Sequence, residues 1–149
     1  MRVCSLGDTP RLMPEESTTP DLVEVVRRLF EASNRRDFDA VMRFYAPDGV
    51  WEATGIGQSF DGEAAIRGLY EDWVGGYEKH EIVLDEGKDL GNGVVFADLT
   101  QGGRLAGSTG DVRSREGWIF RFVDGKIVWV TGRATLAAAE RLAEERGDG

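Results

Sequence analysis

The spacing of apolar side chains along this chain is mainly helical in the first half and alternating in the second. From Leu22, apolar residues recur at Val25, Val26, Leu29 and Phe30, three and four apart, which predicts an amphipathic helix. Its start is either Thr19 as cap with Pro20 in the first turn, or Asp21 with Glu24 as a capping box. A short second helix is expected from Asp37, burying Ala40, Val41, Phe44 and Tyr45 and ending by Ala46, because Pro47 disfavours the helical backbone before it. Asp48 and Gly49 then turn the chain into a short strand, Val50 to Ala53, followed by the loop TGIGQS and a further short strand near Phe60. Ile66, Leu69, Tyr70, Trp73 and Val74 mark a third helix, capped at Asp61 or Gly62 and stopped by Gly75 and Gly76.

Beyond that helix the period becomes two. Strands are predicted over residues 78–90, 94–101, 112–123 and 126–131, and a last helix, LAAAERLAEER, from Thr135 closes an edge of the sheet. GGRLAGSTG reads as a long glycine-rich hairpin loop, since it lacks the lysine and the following helix of a phosphate loop. At the final hairpin, a three-residue turn Val123-Asp124-Gly125 pairs Phe120 with Val128 and Ile119 with Trp129. A two-residue turn pairs Phe120 with Trp129 instead; the three-residue form is preferred because it sets large apolar residues opposite each other on both faces. The pattern therefore predicts an α+β fold, with helices on one face of a curved sheet. Residues 1–18 show no periodicity and read as a flexible leader, with Met13 as an alternative start to Met1.

Composition narrows the classes. A chain of 149 residues buries about 70% of the surface its unfolded form exposes, enough for one core without staples. The single cysteine, Cys4, excludes an internal disulfide and a thiolate metal cluster, and fits a reducing compartment. One histidine excludes a histidine-rich metal site, and no calcium-loop spacing occurs, so no metal or other cofactor is expected. The net charge of −9 argues against a nucleic-acid partner, which needs clustered lysine and arginine. No apolar run reaches bilayer length, so no membrane partner is expected and a cytoplasmic location is.

Three segments, VVRRLFEASNRRDFDAVMRFYAPDGVWEA, DGEAAIRGLYEDW and WIFRFVDGKIVWV, are similar to the SnoaL-like and ketosteroid isomerase-like branch of the nuclear transport factor 2-like superfamily. The resemblance covers about residues 19–143 and implies a single SnoaL-like domain over 19–146. It implies a cone-shaped, cystatin-like roll. In that fold a curved mixed or antiparallel sheet carries three N-terminal-half helices on its concave face and a short C-terminal helix. Superfamily members include polyketide cyclases, isomerases, dehydratases and epoxide hydrolases. At the positions where ketosteroid isomerase carries its oxyanion-binding tyrosine, its protonated aspartic acid and its base, this chain has Leu29, Trp118 and Ala53. None can do that chemistry. The last acid of the epoxide hydrolase set falls on Gly132, so the resemblance implies the fold without either reaction.

With Trp118 facing the cone, as the resemblance implies, alternation assigns Ser114, Glu116 and Phe120 to the same face, then Val94, Phe96, Asp98 and Thr100, and then Val128, Val130 and Gly132. The predicted pocket is Trp51, Tyr70, Trp73, Phe96, Glu116, Trp118 and Phe120, an aromatic site for a small hydrophobic molecule. Asp98 and His80 are the candidate catalytic residues: a desolvated aspartate rises toward the range of a general base, and an inward histidine can share its proton with Asp98 or Glu116. The competing placements are Asp98 in water at a splayed strand end or paired with an arginine, and His80 as a rim or packing residue. The opposite face, with Val95, Ala97, Leu99, Ile119, Ile127 and Trp129, predicts a homodimer through Leu99, Ile119 and Trp129. The leading reading is a small-molecule-binding protein with no assignable reaction. Its alternatives are a cyclase-like or dehydratase-like lyase or isomerase using Asp98 with His80, and an interaction module whose cone is filled by its own side chains.

Overall fold

The computed structural model describes residues 21–148, so the expected leader over 1–18 and the Thr19 cap lie outside the described residues. Asp21 caps the first helix, α1 (Leu22–Asn34): its carboxylate accepts the backbone N–H groups of Val23 and Glu24 at 3.1 and 3.3 Å. Val26, Leu29 and Phe30 form its buried stripe. The second helix, α2 (Phe38–Met42), is shorter than expected, because Tyr45 is already extended and begins β1 (Tyr45–Ala53). There Tyr45 pairs with Ile127, and its hydroxyl hydrogen-bonds that of Tyr70 at 2.7 Å. Asp48 and Gly49 do not turn the chain out of the strand. They lie in a bulge between the Tyr45–Ile127 and Val50–Trp129 pairs.

A short 3-10 turn (Thr54–Ile56), β2 (Gln58–Asp61) and α3 (Glu63–Gly75) follow, then β3 (Tyr77–Asp89), β4 (Val94–Leu105), β5 (Asp111–Val123), β6 (Lys126–Thr131) and α4 (Leu136–Asp148). The six strands form one sheet in the order β2-β1-β6-β5-β4-β3, antiparallel except for the parallel β1–β6 pair. It is thus the mixed sheet of the expected fold, with α1, α2 and α3 on its concave side. The glycine-rich stretch is less of a loop than expected, since β4 continues through Gly102 and Gly103 to Leu105. Those two glycines have φ of +147° and +149°. A Cβ on Gly102 would overlap the Val112 carbonyl oxygen, and one on Gly103 the Lys79 carbonyl oxygen, so only glycine lets β4 bend between its two neighbours.

The last hairpin has neither of the two expected pairings. Asp124 and Gly125 form a two-residue turn with φ of 51° and 80°, the mirror-turn geometry whose twist suits a hairpin. Val128 is then an extra residue in β6, which sets Phe120 opposite Val130 and Ile119 opposite Thr131. This lets both Ile127 and Val130 face the core although they are three apart.

Between β4 and β5 the register overturns the expected faces of β4. Ala97 lies opposite Trp118 and Asp98 opposite Gly117, so Val95, Ala97 and Leu99 face the helices, and Val94, Phe96, Asp98 and Thr100 face outward. The cause is a count. Six residues separate the last paired positions, Arg104 and Asp111, and an even number sets even-numbered residues opposite odd-numbered ones. The outward apolar residues are covered by α4, whose Ala139 and Ala143 bury Val94 and Ile119 beside Phe96 and Trp129. That helix lies on the outer face and does not close an edge.

Candidate functional site

The inner end of the cone is a floor of aromatic rings. Trp118, on β5, meets Phe30 of α1 at 5.7 Å, Trp51 of β1 at 5.2 Å and Trp73 of α3 at 5.9 Å between ring centroids, the first two edge to face. Phe120 lies beside Trp118 at 6.0 Å, and Tyr70 beside Trp73 at 5.8 Å. Trp51, Tyr70, Trp118 and Phe120 are all buried, whereas Trp73 is half-buried. The hydroxyl pair of Tyr45 and Tyr70 is buried beneath them; burial pushes the Tyr70 phenol up to about 12. These rings therefore pack on one another, and two grooves, neither lined by a floor ring, pass the polar residues beside them. A groove of about 590 Å³ runs past His80, Asn34, Arg36, Lys79 and Arg113, and a second of about 410 Å³ past Ser114, Glu116 and Arg133.

One polar chain joins the two openings across the floor. The Trp118 indole N–H donates to Glu116 Oε1 at 2.9 Å; the Gln101 amide and the Ser114 hydroxyl donate to Glu116 Oε2 at 2.9 and 2.8 Å. The other end of the Gln101 amide, Oε1, is 2.9 Å from His80 Nε2. Burial pushes the Glu116 carboxyl up, but the three donors and the Arg133 charge outweigh it and hold the group below its ordinary range. His80 is 8% exposed, and burial, followed by the charges of Arg36 and Arg113, holds its imidazole below its ordinary value. Its strand, β3, is an edge of the sheet and is pinned by α1. Asn34 donates to the Ile82 carbonyl at 3.0 Å and accepts the Ile82 N–H at 2.8 Å, replacing a missing strand partner.

Both shifts act in the same direction on stability. The folded His80 pKa lies below 6.5, so the unfolded chain takes up that proton first, and stability is lost as pH falls below 6.5. Glu116, lowered from 4.5, contributes above that value and loses its contribution as pH falls through its folded pKa. Denaturant midpoints measured from neutral pH downward are expected to begin falling just below 6.5, and His80→Gln to remove that first part of the fall. A flat profile in this range would contradict the neutral, buried histidine.

Of the residues expected in the site, the fold gathers Trp51, Tyr70, Trp73, His80, Glu116, Trp118 and Phe120 on the inner side. Asp98 and Phe96 are not with them. Asp98 faces outward and accepts two hydrogen bonds from Arg115, at 3.1 and 2.8 Å, which hold its carboxyl below its ordinary value, the opposite of a desolvated base. The arginine-paired alternative is the one observed. Phe96 lies outside across Gly117, where a Cβ would come within 2.8 Å of its ring. Leu99, expected on a dimer face, is fully buried against the helices, and Ile119 and Trp129 are packed against α4. Gln101 was not anticipated. Its signal was its spacing of two from Leu99, which the expected face of β4 turned outward. Among the described residues no group of three or more histidine, cysteine, aspartate or glutamate side chains is placed to hold a metal ion.

Comparisons with known proteins agree with this architecture. No curated protein matches the sequence. A hypothetical protein with a ketosteroid isomerase-like fold from Catenulispora acidiphila, solved in complex with trimethylamine, is similar at 17% identity, over 85% of this chain and 95% of its own, with a TM-score of 0.67. A nuclear transport factor 2-like protein of unknown function from Burkholderia pseudomallei is 20% identical over 84% of this chain and 98% of its own, with a TM-score of 0.67. A putative SnoaL-like polyketide cyclase from Shewanella putrefaciens is 10% identical over 76% of this chain and 89% of its own, with a TM-score of 0.64. At these identities the likeness is one of fold. No helix among the described residues is long and apolar enough to cross a membrane. The family profile of the SnoaL-like domain matches residues 26–130, most of the chain, and with the cone, its mixed sheet and its aromatic floor in place, this chain belongs to the SnoaL-like domain family.

Proposed function

We propose that this SnoaL-like protein binds a small, largely apolar molecule at the mouth of the cone, resting on Trp73 and the ring floor and held by the polar chain from His80 to Glu116. The observation that carries this reading is the chain itself: an ionised carboxylate and a neutral histidine, linked through Gln101, lie directly above buried aromatic rings. A few convergent polar groups on an apolar surface make a small-molecule site. Trp51, Tyr70, Trp118 and Phe120 support the ligand from beneath, while Trp73, His80 and Glu116 touch it. Binding of trimethylamine by the Catenulispora acidiphila protein supports a ligand site in this fold and does not identify the ligand here.

A thermal-shift screen of apolar carbonyl and hydroxyl compounds tests the reading, because a ligand that binds only the folded state raises the midpoint by mass action. Compounds that stabilise the protein are expected to lose their effect in Trp73→Ala and Glu116→Gln and to keep it in Asp98→Asn. Loss of binding in Asp98→Asn with retention in the other two would overturn it. Proton transfer of the lyase or isomerase kind is a second reading, favoured by the basic His80 nitrogen but without Asp98 as its partner. A homodimer is part of the proposal in reduced form, without Leu99 and Ile119, which are buried, on half-buried Trp129 and the flank of α4, where a groove of about 360 Å³ remains. Sedimentation of a single monomer at micromolar concentration removes it. A cytoplasmic location is supported by the single cysteine and is checked by cell fractionation.

A further inference from the structure

The hydrogen bonds around Gln101 determine the state of the chain's one histidine. An ionised carboxylate only accepts, so the Gln101 atom 2.9 Å from Glu116 Oε2 is the amide NH2, and the atom facing His80 is the carbonyl oxygen. A carbonyl also only accepts. His80 Nε2 therefore carries the proton, and Nδ1 of the neutral ring is a bare lone pair. That Nδ1 is buried and has no hydrogen-bond partner among the described residues. An unpaired buried acceptor is costly and uncommon in folded proteins.

The flanks of the imidazole show what could pair with it. The Trp73 ring lies 4.8 Å away and the Tyr77 ring 4.7 Å away, both half-buried, and the 590 Å³ groove passes His80 itself. The charges that act on it are those of Arg36 from the turn after α1, Arg113 from β5 and Glu81 from β3, the last two on the other face of the sheet. Arg113 is paired with Glu81 and Asp111, at 3.7 and 3.8 Å, so Arg36 is the charge that disfavours a cationic ligand at this end. We propose that His80 Nδ1 is a hydrogen-bond acceptor subsite for a flat, uncharged hydroxyl compound of the phenol class, whose O–H bonds the lone pair while its ring lies against Trp73 and Tyr77. This rests on the small-molecule reading above and assigns the ligand class of the same site. Glu116 acts as a positioning residue: through Gln101 it fixes which imidazole nitrogen is free.

Because the sequence has one histidine, imidazole-nitrogen NMR of tag-free protein gives a single spin system. At neutral pH it is expected to show the Nε2–H tautomer alone, with a titration midpoint below 6.5. Glu116→Gln frees the Gln101 amide to turn over and is expected to give a mixture of tautomers. Gln101→Leu, which removes the anchor, does the same and covers failure of the first variant to fold. 1-Naphthol, used as the probe, is expected to shift the Nδ1 resonance and leave Nε2 protonated. An Nδ1–H tautomer in the native protein, or an unchanged tautomer in both variants, overturns the assignment of the free nitrogen. Stabilisation by other compounds with no naphthol response at Nδ1 overturns the phenol subsite while leaving small-molecule binding intact.

Discussion

Trp118→Ala is expected to lower the unfolding free energy by about 3–5 kcal/mol, the range for deleting a large buried aromatic side chain. Trp118 is 2% exposed and is the one ring that touches Phe30, Trp51, Trp73 and Phe120 together. Truncation therefore removes contacts from three helices and strands at once, and the neighbours, held by their own backbones, cannot collapse fully into the space. It also takes a donor from Glu116, leaving a half-buried carboxylate with the Gln101 and Ser114 bonds only. Trp118→Phe keeps most of the ring volume but not that donor, so it is expected to cost less and to move the Glu116 pKa upward. Chemical denaturation of both variants checks this, and an alanine variant as stable as the native protein would show the floor to be loosely packed.

Gly103→Ala is expected to be at least as damaging, above about 4 kcal/mol or a failure to fold, a size that single substitutions reach only through a few specific mechanisms, strain at a special backbone conformation among them. The new methyl would overlap the Lys79 carbonyl oxygen, a backbone atom that cannot swing aside, and φ of +149° is itself strained for any residue but glycine. Relief requires β3 and β4 to separate at the point where the sheet bends, next to the His80–Gly103 pair. Gly107→Ala is the control. Its φ is +80° but nothing lies within 4 Å of the added Cβ, so the left-handed backbone alone sets a cost of about 1–2 kcal/mol. Equal losses in the two variants would show that backbone conformation, not strand contact, makes Gly103 necessary.

Part of the candidate site was legible because α3 has one dominant apolar face and the family resemblance orients β5. Tyr70 and Trp73 follow helical spacing, and on β5 alternation groups Glu116, Trp118 and Phe120 on one side, which the family resemblance set toward the cone, because Ile119 makes the other side apolar too. Asp98 and Phe96 were misplaced for the opposite reason. VVFADL is apolar on both faces, since one packs under α1 and the other under α4, so alternation defines two sets of residues without saying which is inside. Gln101 was lost with them, and with it the link between His80 and Glu116.

The sequence by itself determined the kinds and order of the elements and the helix faces, because each depends on residues a few positions apart, while the inward side of β5 came with the family resemblance. Only the tertiary structure decided how those faces match. The six residues between Arg104 and Asp111, the bulge at Val128 and the bend at Gly102 and Gly103 each change pairing by whole residues, and a one-residue change exchanges the two sides of a strand. The tautomer of His80 was likewise beyond reach of the sequence. It follows from three side chains on three strands, and their hydrogen bonds exist only once β3, β4 and β5 are in register.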